Sequence, residues 1–119
     1  MWLMTKHGFY SVVCTRDDPK YKYPVDPDKV MIRSRWRQHL VTLKRRFPQL
    51  DGAILDTLEA DYRWRVICDK KVWAECLKEL VLEQDYGNFK EACANTLGEC
   101  AYVDALHDTW ITFFKAAGR

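Results

Sequence analysis

The amino-acid sequence predicts an α+β fold, a four-stranded and mainly antiparallel sheet with helices on one face. Short β-branched and aromatic runs at 8–14, 30–35 and 62–68 read as strands, joined by a weaker run at 53–58. Apolar residues at helical spacing occupy 35–47, 70–84 and 100–116. The resulting order is β-β-α-β-β-α-α-α. Each helix carries one apolar stripe that must be covered, and one face of the sheet is the available cover.

The first strand is Gly8-Phe9-Tyr10-Ser11-Val12-Val13-Cys14. Residues 15–29 follow as a long polar loop, because Pro19, Pro24 and Pro27 deny the stretch a helix or a central strand. Val30 to Arg35 form the second strand. In the next helix Trp36, Leu40, Leu43 and Phe47 fall at i, i+4, i+7 and i+11, and Pro48 ends it. Residues 53–58 and 62–68 make a hairpin about Glu59-Ala60-Asp61. In its second arm Tyr62, Trp64, Val66 and Cys68 alternate with Arg63, Arg65 and Ile67. Asp69 is the expected N-cap of a helix carrying Trp73, Leu77, Leu80 and Val81. Asn88 opens a short helix with Glu91 at capping-box spacing, and Gly98 closes it. The last helix turns Val103, Leu106, Trp110 and Phe113 inward.

The 119 residues suit a single domain, 1–119, and a composition of 48% hydrophobic and 30% charged residues fits a folded chain rather than a disordered one. The expected core is Trp36, Leu40, Leu43, Trp64, Trp73, Leu77, Leu80, Leu106 and Trp110. Five cysteines at irregular spacing, with no CxxC, read as reduced and mostly buried thiols. The N-terminus lacks the apolar stretch of a secretory signal, and no apolar run reaches membrane-spanning length, so a cytoplasmic protein without membrane contact is expected.

Charge is sorted along the chain. Residues 1–50 hold 11 Lys/Arg against 4 Asp/Glu, a formal +7, and residues 51–119 hold a formal −5. A basic surface and an acidic one imply charged partners.

Trp2 with Gly8-Phe9-Tyr10-Ser11, the segment Asp61-Tyr62-Arg63-Trp64-Arg65-Val66, the junction Asp85-Tyr86-Gly87-Asn88-Phe89-Lys90 and the ending His107 to Trp110 resemble a family of short bacterial proteins of unassigned function. The resemblance covers nearly the whole chain, and the Asp-Tyr-x-Asn-Phe-Lys junction is its most specific part. The loop at 15–29 is longer here and cysteines are more numerous. The resemblance implies a single compact domain and carries no chemistry.

Two basic groups are candidate binding residues. Arg33 and Arg35 share one face of the second strand, and Arg63 and Arg65 one face of the fourth. With Tyr10 they would form an open basic sheet surface, suited to phosphates and stacked bases. The alternative is a solvated face whose arginines pair with Asp56, Glu59 or Asp61. Arg37, Lys44, Arg45 and Arg46 line the outer side of the first helix, where charges ordinarily serve solubility. At the junction 85–90, helix capping accounts for Asn88 without a binding role.

Catalytic and metal signatures are lacking. His7 and Ser11 on a strand lie about 13 Å apart, beyond hydrogen-bond reach. Cys100 and His107 stand two helical turns apart. No Gly-x-Ser-x-Gly, P-loop or nucleotide-binding glycine pattern occurs, and no closely spaced Cys/His pairs mark a zinc site. The expectation is a small non-enzymatic interaction or regulatory protein, an adaptor or stoichiometric inhibitor, without cofactor or metal. It would bind a protein through a charged surface, or alternatively a nucleic acid or nucleotide through the basic sheet face, with an enzyme of unknown class as the third reading, and self-association is open to it.

Overall fold

A computed structural model describes residues 1–16 and 24–118, which group into two compact units. The first comprises Met1–Met4 and Gly8–Gln84, the second Thr5–His7 and the chain from Asp85 onward. The elements in order are β1 (Trp2–Thr5), β2 (Gly8–Arg16), β3 (Val25–Ser34), α1 (Arg37–Arg46), β4 (Leu55–Asp56), β5 (Trp64–Asp69), α2 (Lys70–Leu82), α3 (Phe89–Leu97) and α4 (Ala101–Ala116). The α+β class, an antiparallel sheet and the β4–β5 pairing are as expected, and β2–β3 and β3–β5 also pair antiparallel. The strand count differs. The sheet has five strands in the order β1-β2-β3-β5-β4, and three strands precede the first helix.

The additional strand is β1. Four residues are too few to show a period. What makes it a strand is its neighbour, since the Met1 amine and carbonyl both bond to Val12 at 2.8 Å. Lys6 and His7 form the turn into β2, and Gly8 follows at φ +149°, a backbone region that L side chains rarely adopt.

The long loop is also shorter than expected. Thr15 and Arg16 extend β2, and Val25 and Asp26 pair with them in β3. Pro27 is accommodated because the register jumps between Cys14↔Val30 and Thr15↔Asp26, leaving Pro27, Asp28 and Lys29 as a bulge opposite β2. The Asp26 carboxylate accepts from the Asp28 amide at 2.9 Å and tightens that bulge. Residues 17–23 of the expected loop lie outside the described residues.

Strand register sets two faces. Val12, Ile32 and Val66 form one cross-strand row, with Tyr10 and Val30 on the same side. Leu40, Leu43 and Phe47 from α1 and its end, Leu50, and Trp73, Cys76 and Leu80 from α2 close over that side as one core. α1 and α2 are therefore the helices on the sheet in this unit. Trp64 and Leu77 pack at its margin. Trp36 is not core. It stands at the N-cap of α1, 37% exposed, with its ring tilted 41° to the His39 ring at 4.9 Å.

His39 is buried beside Gly8. Its Nδ1 accepts the Phe9 amide at 3.2 Å, and its carbonyl accepts the Tyr10 hydroxyl at 2.8 Å. Burial lowers its pKa below the ordinary value of 6.5. A folded pKa below the unfolded one adds stability above about pH 6.5 that is lost as pH falls through the lowered value. Wild type is expected to lose more stability than His39→Asn between about pH 7.5 and about pH 5, as denaturation midpoints would show. Parallel profiles would contradict this role of His39.

In the second unit, α3 and α4 pair with each other and with the Thr5–His7 turn. The Thr5 carbonyl accepts the Tyr102 hydroxyl at 2.8 Å and the Cys93 thiol at 3.7 Å. Asn88 caps α3 as expected, its side chain accepting the Glu91 amide at 3.0 Å, and Gly98 ends it at φ +72°. Leu106 is buried as expected, whereas Trp110 and Phe113 are 51% and 64% exposed. The apolar residues of α4 exceed what two helices and a turn can cover.

Candidate functional site

Among the described residues of the first unit no helix covers the second face of the sheet. Register builds two rows there. One runs Ser11, Arg33, Arg65, Leu55 across β2, β3, β5 and β4, and the other runs Val13, Met31, Ile67. Phe9 and Trp2 continue this face toward β1, their rings edge-to-face at 6.0 Å. Trp2 is 69% exposed, and Leu55 and Ile67 are exposed too.

Arg33 and Arg65 are directly opposite each other. Two like charges in that position weaken a sheet. Each is tied to the main chain through its Nε. Arg33 Nε donates to the Ser11 carbonyl at 3.3 Å and its Nη2 to the Ser11 hydroxyl at 2.8 Å. Arg65 Nε donates to the Tyr62 carbonyl at 3.2 Å, and its Nη1 reaches Met31 Sδ at 3.3 Å. Among the described residues neither guanidinium pairs with a carboxylate. Burial first, then the Arg65 charge, lowers the Arg33 pKa, opposed by Tyr62 and Asp61, with Arg16 adding to the lowering. Arginine keeps its proton regardless, and the lowering records burial ahead of the Arg65 charge.

The other predicted arginines behave differently. Arg35 binds both Asp61 oxygens, at 3.1 and 3.0 Å. Arg63 binds both Asp56 oxygens, at 2.7 and 3.0 Å, which holds the Asp56 carboxyl below the usual range. Arg63 also covers the Trp64 ring at 4.6 Å. The four arginines thus separate into two that are neutralised and two that are not. Tyr10 is a correction: it lies on the core face, fully buried, with its hydroxyl on the His39 carbonyl. Tyr62 is the ring among the arginines, with Arg33 and Arg35 at 4.8 and 4.3 Å from its centroid. It precedes β5 and departs from the alternation of that strand.

The helix group is dispersed. Arg37 lies over Trp64 at 5.9 Å, Lys44 donates to the Gly52 carbonyl, and Arg46 pairs with Glu83 at 3.0 Å while covering Phe47. Arg45 is exposed. Three of the four have local contacts.

The five cysteines are unpaired, and burial pushes the Cys68, Cys76 and Cys93 thiols up to about 11, where they are poor nucleophiles. Among the described residues no three His, Cys, Asp or Glu gather as metal ligands, and no helix is long and apolar enough to cross a membrane. A depression of about 540 Å³ beside His107, Asp104 and Lys90 is wide open to solvent. Sequence reasoning reached Arg33 and Arg65 and missed Ser11, Met31, Leu55, Tyr62 and Ile67. For Met31 and Ile67 the signal is parity: a residue on the same phase as a strand arginine shares its face.

No family model, curated protein or solved structure matches the chain.

Proposed function

We propose that this chain is a small intracellular binding protein, an adaptor or stoichiometric inhibitor, that docks a protein partner on the uncovered face of its sheet. The observation that carries the reading is the row Ser11–Arg33–Arg65–Leu55, which sets two uncompensated guanidiniums side by side among exposed apolar residues. Folding alone gains nothing from opposing like charges, whereas a partner that brings an anion converts the repulsion into binding energy. Arginine, tryptophan and methionine beside aliphatic residues are the composition of protein interfaces. A nucleic acid is served less well. Arg35 and Arg63 are already neutralised by Asp61 and Asp56, and the Tyr62 ring, 6% exposed, offers no stacking surface to a base.

The test is capture from extract of the source cells by wild type, by a face variant, Trp2→Ala/Ile67→Glu, and by a helix variant, Arg37→Glu/Arg45→Glu, all at matched stability. The expected result is a nuclease-resistant protein captured by wild type and the helix variant and lost with the face variant. Capture insensitive to the face variant, or abolished by nuclease, would refute this function.

A further inference from the structure

We infer that Arg33 and Arg65 form a clamp for a carboxylate, an Asp or Glu side chain set among apolar residues in a segment of the partner. The inference rests on the proposed use of the open sheet face and names the chemistry that face receives.

The geometry is that of a prepared site. Both Nε atoms are spent on main-chain carbonyls, Ser11 for Arg33 and Tyr62 for Arg65, so each guanidinium plane is held by the sheet itself. That leaves the Nη ends to serve an incoming group. Among the described residues Arg33 Nη2 has one bond, to the Ser11 hydroxyl, and Arg65 Nη1 meets only the thioether of Met31, a weak acceptor. A guanidinium so fixed has already lost the rotamer freedom that binding would otherwise cost. Opposing residues in an antiparallel pair have Cβ atoms about 5 Å apart, close enough for both forks to meet one two-oxygen anion.

The surroundings select a carboxylate in an apolar segment. Leu55 continues the arginine row on one side, and Met31 and Ile67 form the next row. These residues desolvate whatever lies over the arginines, and desolvation strengthens a charged hydrogen bond. Asp61 and Asp56 are each held two-pronged by Arg35 and Arg63, and among the described residues no carboxylate pairs with either clamp arginine.

The probe is the tripeptide acetyl-Leu-Glu-Leu-amide, titrated into the ¹⁵N-labelled full chain while the Nε–H signals of Arg33 and Arg65 are followed. Saturable shifts of both signals are expected. Affinity should fall at least tenfold for the Leu-Gln-Leu peptide, for Arg65→Gln and for the charge-preserving Arg33→Lys/Arg65→Lys, which keeps the field and loses the forks. Equal binding of the Glu and Gln peptides, or undiminished binding by the lysine variant, would overturn the clamp. A phosphoserine peptide binding more than tenfold tighter than the Glu peptide would overturn the carboxylate assignment. Shifts at the Leu55 and Ile67 amides without shifts at the guanidiniums would remove the clamp and leave the face as a docking surface. A partner captured independently of the face removes the function itself.

Discussion

Trp73→Ala is expected to lower stability by about 3–5 kcal/mol, the cost of emptying a buried aromatic site. Trp73 is 4% exposed and sits in the core with Ile32, Val66 and Leu43. It stands in the first turn of α2, so its loss uncouples that helix from β3 and β5, the strands α2 packs against. Trp73→Phe is expected to cost much less. Indole Nε1 is buried with no acceptor among the described residues, and removing that unsatisfied donor offsets part of the lost volume. Chemical denaturation of the two variants measures the contrast. Equal midpoints would show that α2 does not seal the core through this residue.

Gly8→Ala is the second large effect, expected at about 2–5 kcal/mol from backbone strain and overpacking together. A Cβ at position 8 would lie 2.4 Å from His39 Cγ and 2.7 Å from its Nδ1, on a backbone at φ +149°. His39 has no room to yield, because its Nδ1 holds the Phe9 amide and its carbonyl the Tyr10 hydroxyl. The substitution forces apart the start of β2 and α1. A midpoint shift under about 1 kcal/mol would show that the turn relaxes around a methyl group.

How much of this was legible in the sequence follows from what local pattern encodes. The alternation Trp64-to-Cys68 and the stripe Leu40, Leu43, Phe47 are long enough to declare their periods, and both elements formed within two residues of the expected bounds. β1 is four residues long and owes its existence to bonds with Val12, a long-range fact. Pro27 argued against a strand, and the bulge that admits it depends on the register of β2. The phase of β2 was readable, but its inward side was not. Tyr10 carries a hydroxyl that belongs outside until the His39 carbonyl receives it. Trp36 and Trp110 keep perfect helical spacing and stay exposed, since spacing reports a shared face and not a cover for it. Of the candidate site, the arginines were visible. Their division into Arg35 and Arg63, neutralised by Asp61 and Asp56, and Arg33 and Arg65, left opposed, required the fold.

On the proposed function, Arg33 and Arg65 are kept opposite each other for a partner and against the interest of the sheet. Arg65→Glu and Arg65→Gln separate these two interests, because the introduced side chains match in shape and differ in charge. The measurement is the denaturation midpoint of each variant, paired with its affinity for the partner captured by wild type. In Arg65→Glu the new carboxylate would face Arg33 as an opposite charge across the strands. Arg65→Glu is therefore expected to be more stable than Arg65→Gln by about 0.2–1 kcal/mol, while its partner binding falls about 100-fold or more below wild type. An Arg65→Glu protein that is less stable than Arg65→Gln, or that keeps its partner, would show that the opposed arginines serve the sheet and not a partner.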